Sequence, residues 1–178
     1  MNKIVLIGAP NCGKSTLGRR TADIMHLPFF DTDLLAKDKL GIENPVDLFR
    51  FALNGRFLTA QYEVVDELAE MAGPAIIATG AEVALMPECK ALLRNMGTII
   101  HVQRNPEITL AAIKNKKGLV LHNVTDGTKV NMEEEALRLY QQEYHHYEAL
   151  ADLTLENHGS EDEGVSKLAA LINSSVYL

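Results

Sequence analysis

Short apolar runs alternate with longer amphipathic segments along the whole chain. Five of these runs have the length of a β-strand and end at polar or turn-forming residues: 4–7, 29–30, 75–79, 98–102 and 153–155. Runs that stay apolar at consecutive positions are typical of strands in a parallel sheet with both faces covered. The pattern therefore predicts an α/β fold built on a five-stranded parallel sheet.

The segments between the runs carry apolar residues at helical spacing. Helices are predicted at 15–25, 45–54, 58–71, 91–94, 106–114 and 134–149, and around 165–172 at the end of the chain. In the helix at 58–71, one apolar face is expected to be buried, and it consists of Leu58, Tyr62, Val65, Ala69 and Ala72. We find no internal repeat, low-complexity tract or linker, so residues 1–178 are expected to form one domain.

The ends of the strands carry the residues of chemical interest. Gly8, Asp31, Thr79 and Gln103 each stand where a predicted strand ends. Open parallel sheets bind their ligands outside the carboxyl ends of their strands. This edge of the sheet is therefore where we expect the functional site.

The segment Gly8–Ser15, GAPNCGKS, follows the first strand and matches the P-loop pattern G-x-x-x-x-G-K-[ST]. Its glycines let backbone N–H groups turn toward phosphates, and the next helix presents its positive N-terminal end. Lys14 can reach the β- and γ-phosphates, and the Ser15 hydroxyl suits Mg²⁺. The loop predicts binding of a nucleoside triphosphate with Mg²⁺ at Gly8, Asn11, Cys12, Gly13, Lys14, Ser15 and Thr16. The alternative is a loop that no longer binds a nucleotide.

Asp31-Thr32-Asp33 follows the second strand. Beside a P-loop, a carboxylate can orient an attacking alcohol and accept its proton. The same three residues also fit a helix N-cap with an acidic first turn. The residues alone leave both interpretations open.

Composition narrows the class of protein. The 178 residues are 47% hydrophobic and 23% charged, as in globular proteins, and the net charge of −7 argues against DNA or an anionic membrane as the main partner. Cys12 and Cys89 lack metal-type spacing, and no apolar run approaches membrane-spanning length. We expect a cytoplasmic protein, monomeric or weakly dimeric, without a nucleic-acid or membrane partner. His145-His146 is expected to be exposed rather than a metal pair, because adjacent residues do not share a helix face.

Beyond the P-loop, the chain resembles the shikimate kinase family, a branch of the P-loop small-molecule kinases, over nearly its whole length. The matching segments are Asp31-x-Asp33, Phe57 at the family's F-R-x-x-E, Ala78-Thr79-Gly80 at A-T-G-G-G, Lys116-Lys117 before Leu119-Val120-Leu121, and Tyr147-Glu148 with Ala151-Asp152. The resemblance implies a three-layer α/β/α P-loop kinase fold. It also implies transfer of the γ-phosphate of ATP to a hydroxyl of a small molecule.

The resemblance assigns roles to the matching residues. Lys14 and Asp33 are the expected catalytic residues, with Asp33 as the base, and Ser15 and Asp31 are expected to support Mg²⁺. The implied substrate-binding helices cover about 32–72, and the implied lid covers about 114–130, where Lys117 is a candidate to replace a missing cation near ATP. The expected substrate-binding residues are Asp33, Arg56, Phe57, Gly80, Ala81 and Glu82. For Arg56, exposure at the surface is the alternative.

Several positions depart from the family's pattern. Leu58 and Glu143 stand where the family has the two arginines that clamp the carboxylate of shikimate, and Gln61 replaces a glutamate. The glycine run becomes Gly80-Ala81-Glu82, and the lid arginine aligns with Ala111. Two lost hydrogen bonds to a charged group, at about 1.5–3 kcal/mol each, would weaken binding of a carboxylate by roughly 10²–10⁴-fold. We therefore expect a neutral or cationic acceptor, although shikimate is the acceptor that the family implies.

Two other functions stay open. A catalytically retired nucleotide-binding module, with a regulatory or scaffolding role, would bind ATP without turnover; the loss of the lid arginine favours it, and the intact Asp33 disfavours it. A nucleotide monophosphate kinase is the third possibility, and the scarcity of arginines after the first helix disfavours it.

Overall fold

The computed structural model describes residues 2–44, 55–107 and 144–175 of the chain. The predicted helix at 45–54, the predicted lid at about 114–130 with Lys117, and positions Ala111 and Glu143 lie outside these ranges. The predicted helices at 106–114 and 134–149 are described only at 106–107 and 144–149. The predictions that fall on the other residues stay predictions.

Five parallel strands form one sheet in the order β2-β3-β1-β4-β5. Their bounds are Lys3–Ile7 (β1), Phe29–Asp31 (β2), Ile76–Ala78 (β3), Gly97–Gln103 (β4) and Leu153–Glu156 (β5). All five residues of β1 are buried, because this strand lies in the middle of the sheet between β3 and β4. The prediction of an α/β fold with a five-stranded parallel sheet is confirmed.

Helices connect the strands and cover the sheet. Their bounds are Lys14–Met25 (α1), Thr32–Lys39 (α2), Arg56–Glu70 (α3), Pro87–Met96 (α4), residues 144–150 (α5) and Glu161–Ser175 (α6), with a short 3₁₀ turn at Val83–Leu85. The longest helices of the described ranges, α3 and α6, have 15 residues each. None of the described helices has both the length and the apolar character needed to cross a bilayer.

The hydrophobic core has two parts, one on each face of the sheet. Val5 and Ile7 of β1 belong to the cluster that includes buried residues of α3 and α4. Ile4 and Leu6 point to the other face and belong to the cluster with buried residues of α1 and α6. Successive residues of a strand point to opposite faces, so β1 contributes to both clusters and is apolar from Ile4 to Ile7.

The predicted buried face of α3 was wrong in part. Val65 is buried, but Tyr62 is 36% exposed, and Ala72 is exposed beyond the end of the helix. The residues that α3 buries are Ala60, Gln61, Val64, Val65 and Leu68. The inward face includes Gln61, which the predicted apolar face did not contain, and the next residue, Tyr62, is turned outward.

Candidate functional site

The P-loop connects β1 to α1 and owes its shape to three residues with positive φ. Gly8 has φ of 140° and Gly13 has φ of 107°, and a Cβ on either glycine would lie 2.6 Å from a neighbouring atom. The neighbours are the Val102 carbonyl oxygen and Asn157 Nδ2, respectively. Asn11 has φ of 60°, a left-handed conformation that asparagine adopts more readily than most residues. Contacts within the protein therefore exclude a side chain at Gly8 and at Gly13.

Lys14 is buried at the first position of α1 and lies against the loop. Its Nζ donates hydrogen bonds to the carbonyl oxygens of Gly8, at 2.7 Å, and Ala9, at 2.9 Å. These contacts keep a positive charge beside the loop backbone, where it can neutralise bound phosphate. Thr16, in the first turn of α1, is exposed.

Ser15 and Asp31 meet at the end of the P-loop. Ser15 Oγ donates a hydrogen bond of 2.6 Å to Asp31 Oδ2. Hydroxyl and carboxylate oxygens are the ligands that Mg²⁺ prefers, and Mg²⁺ commonly binds one or two carboxylates together with substrate phosphates. Within the described ranges no cluster of three or more His, Cys, Asp or Glu residues is arranged to bind a metal ion. Ser15 and Asp31 thus fit a magnesium site that substrate phosphates complete.

Asp31 is also the N-cap of α2. Its Oδ1 accepts hydrogen bonds from the backbone N–H groups of Asp33, at 3.0 Å, and Leu34, at 3.2 Å. The N-cap interpretation of Asp31-Thr32-Asp33 is therefore confirmed. It does not compete with a chemical role, because Oδ2 faces Ser15 while Oδ1 caps the helix.

Asp33, the predicted base, lies in the first turn of α2 and contacts Gln61. Gln61 Nε2 donates a hydrogen bond of 2.5 Å to Asp33 Oδ1. Burial and then the nearby Asp31 carboxylate raise the pKa of Asp33, while the Lys14 charge and the hydrogen bond from Gln61 act in the opposite direction. A Cβ on Gly80 would collide with Gln61 Nε2 and with Asp33 Oδ1, so only glycine fits there without rearrangement.

The segment after β3 is fixed from two sides. The Gly80 N–H donates to Thr32 Oγ1 at 2.8 Å, and the Tyr147 hydroxyl of α5 donates to the Ala81 carbonyl oxygen at 3.1 Å. Partial burial raises the pKa of the Glu82 carboxyl, and the Asp33 charge raises it further. Glu82 and Asp33 are thus close enough to interact electrostatically.

Two buried polar residues near the P-loop were missed in the sequence. Asn157 Nδ2 donates a hydrogen bond of 2.8 Å to the Cys12 carbonyl oxygen and so ties β5 to the loop. His101 of β4 is 1% exposed and lies 5.3 Å and 5.4 Å from the rings of Tyr144 and Tyr147, measured between centroids. Burial lowers the pKa of His101 to about 4, the Lys14 charge acts in the same direction, and Glu148 opposes it. The sequence offered one indication of them: His101 lies in a predicted strand, and Asn157 lies just after one.

The other predicted residues lie as follows. Arg56 is exposed at the first position of α3, and Phe57 packs, partly buried, against the core. Their predicted contact with a substrate stays a prediction. His145 and His146 are both exposed, as expected.

Known proteins resemble this chain over most of its length. The sequence profile described as Shikimate kinase matches residues 10–173. A shikimate kinase of Psychromonas ingrahamii is 31% identical over 170 residues, which cover 94% of this chain and 91% of that protein. A shikimate kinase of Ralstonia nicotianae is 31% identical over 134 residues, which cover 75% of this chain and 69% of that protein.

Solved structures agree with these matches. The shikimate kinase from Acinetobacter baumannii, in complex with shikimate, superposes with a TM-score of 0.78 and 25% identity, covering 98% of this chain and 94% of that one. A gluconokinase from Sinorhizobium meliloti, with a TM-score of 0.61 and 15% identity, shares the fold. The family implies the use of ATP and Mg²⁺, and the P-loop, Ser15 and Asp31 fit both. This chain therefore belongs to the shikimate kinase family and is a phosphotransferase of the kinase type.

Proposed function

We propose that this protein transfers the γ-phosphoryl group of ATP to a hydroxyl of a small, neutral or cationic molecule. One observation carries the proposal: Asp33 lies two residues after Asp31, the carboxylate that Ser15 joins to the P-loop. A proton acceptor and a phosphate-binding loop therefore share one edge of the sheet. Phosphoryl transfer needs these two elements side by side.

Different residues of this chain bind the phosphates, support the metal ion and accept the proton. The N–H groups of the P-loop and the Lys14 ammonium bind the polyphosphate and balance its charge. Ser15 and Asp31 would hold Mg²⁺, which would neutralise charge on the phosphates. Asp33 orients the acceptor hydroxyl and receives its proton as the new bond to the γ-phosphorus forms and the bond to ADP breaks.

The environment of Asp33 suits a base. Its pKa is raised by burial and by the Asp31 carboxylate. A carboxylate with a raised pKa accepts a proton more readily than one in water. The environment that destabilises the ionised form of Asp33 therefore favours proton transfer to it.

The charges around Asp33 favour an acceptor that is not an anion. Glu82 and Asp33 place two carboxyl groups in one region, and position 58 on α3, where the family has an arginine, is occupied by the partly buried Leu58. The Acinetobacter baumannii relative was solved with shikimate, which is a carboxylate. In this chain Glu82 and Asp33 would repel such a group, whereas they would attract an ammonium group and accept hydrogen bonds from hydroxyls.

A coupled assay of ADP release tests the proposal. Polyols, amino alcohols, nucleosides and shikimate are supplied with ATP and Mg²⁺, and thermal shift with the same compounds reports binding separately. We expect turnover with a neutral or cationic alcohol and a gain in shikimate use in Glu82→Gln. Saturable turnover of shikimate at sub-millimolar concentration would contradict the acceptor class. Stabilisation by ATP without ADP release on any alcohol would instead indicate a retired kinase.

A further inference from the structure

Gln61 is a buried polar residue of the site that the proposed reaction does not yet use. It lies on the core face of α3, is 2% exposed, and donates from Nε2 to Asp33 Oδ1. Its Oε1 is buried without a hydrogen-bond partner in the described part of the chain. A buried acceptor without a partner is unfavourable, and leucine or methionine would fill the position without it. The amide therefore calls for a reason other than packing.

Hydrogen-bond chemistry fixes the orientation of this amide. An ionised carboxylate only accepts hydrogen bonds, so the NH₂ group of Gln61 must face Asp33 and Oε1 must face away. Since Oε1 is enclosed by protein, Gln61 meets a substrate only through Asp33.

The Asp33 side chain is constrained from several directions. Its backbone N–H is bound by Asp31 Oδ1, its own Oδ1 is bound by Gln61, and Gly80 lies directly against both side chains. Oδ2 of Asp33 has no hydrogen-bond partner among the described residues. The arrangement holds one carboxylate oxygen and leaves the other for a ligand.

We propose that Gln61 is a positioning residue that holds the Asp33 carboxylate with Oδ2 available to the acceptor hydroxyl. The inference rests on the proposed function, because it takes Asp33 as the base. The uncharged side chain at position 61 agrees with the residue at position 58. Leu58 lies one turn away on the same helix and supplies no cation that could pair with a charged residue at position 61. A glutamate at position 61 would therefore add a further carboxylate beside Asp33, and Leu58 would provide no cation to balance it.

Steady-state kinetics of Gln61→Leu and Gln61→Glu test this role, with the alcohol that wild type phosphorylates fastest in the panel above. We expect kcat to fall by about 10²-fold in both variants, since misplacing a catalytic group by about 1 Å has this effect, while KM for ATP stays within about threefold. Asp66→Asn, at an exposed position of α3, is the matched control and should keep the wild-type kcat. An unchanged kcat in Gln61→Leu, or a loss confined to KM for ATP, would overturn the inference.

A spectroscopic measurement tests the contact without any acceptor. In a ¹H–¹⁵N spectrum, one side-chain NH₂ proton of Gln61 should lie downfield and exchange slowly with solvent. Asp33→Ala should abolish both features, whereas Asp38→Ala, at an exposed position of α2, should not. Gln61 signals that Asp33→Ala leaves unchanged would overturn the inference. If the signals behave as expected but no alcohol is phosphorylated, the proposed function fails while the contact stands.

Discussion

The hydroxyl of Ser15 donates a hydrogen bond of 2.6 Å to Oδ2 of Asp31, and this contact joins the P-loop to the start of α2. The other oxygen of Asp31 caps that helix. One carboxylate thus serves both the fold and the expected magnesium site. The two roles are separable by substitution, because asparagine caps a helix as well as aspartate does but carries no charge.

Asp31→Asn should raise the Mg²⁺ concentration needed for half-maximal activity by about 10–100-fold with little change in stability, because a carboxylate that supports a bound metal ion contributes at this level. Asp31→Ala should show the same metal defect and also lose about 1 kcal/mol of unfolding free energy with the N-cap. Mg²⁺ titrations of turnover and urea denaturation measure the two effects. A normal Mg²⁺ requirement in Asp31→Asn would exclude the metal role.

Asp33→Asn should lower kcat by about 10²–10⁴-fold, the usual contribution of a general base, because the amide cannot accept the proton of the acceptor hydroxyl. ATP affinity, measured by calorimetry, should stay close to that of wild type. Asp38→Asn, at an exposed position of the same helix, is the control and should be fully active. A fully active Asp33→Asn enzyme would show that another group is the base.

The sheet and the phosphate site could be predicted from the sequence because both follow from local patterns. β1 is apolar at Ile4–Ile7 because it is buried on both faces, and the P-loop is recognisable because its glycines avoid close contacts with Val102 and Asn157. Such patterns need no knowledge of which elements meet in space.

The hydrogen bonds that hold the site residues in place could not be predicted in the same way. Gln61 and Asp33 are 28 positions apart, and Asn157 and Cys12 are 145 positions apart, so their contacts arise only once the elements pack. In α3 the apolar pattern favoured Tyr62 as a buried residue, but the partner of Asp33 had to face inward instead. Buried polar residues were thus the ones that the apolar pattern left without a role.

Asn157→Ala should destabilise the fold by about 1–3 kcal/mol, because the buried Cys12 carbonyl loses its hydrogen bond. A looser P-loop should also bind ATP more weakly. Urea denaturation and calorimetry measure both effects, and Asn95→Ala, at an exposed position of α4, serves as control. Wild-type ATP affinity in Asn157→Ala would show that the loop keeps its shape without this contact.

His101 should make stability depend on pH between about 6.5 and about 4. Its pKa in the folded protein is lowered to about 4, against an ordinary value of 6.5, so in this window the unfolded chain binds more protons than the folded one. Stability is therefore lost as pH falls, by up to about 3 kcal/mol from this group. His101→Phe keeps an aromatic ring and should lose less stability than wild type between pH 7 and pH 4.5. Equal losses in both proteins, measured by urea denaturation, would show that His101 does not titrate in this way.

The most direct measurement of the proposed activity is ³¹P NMR of the purified protein with Mg²⁺, ATP and the panel of alcohols. The expected result is a new phosphate-monoester resonance that grows in step with ADP on a neutral or cationic alcohol and is lost in Asp33→Asn. ADP accompanied only by inorganic phosphate, or no consumption of ATP with any alcohol, would contradict phosphoryl transfer by this site.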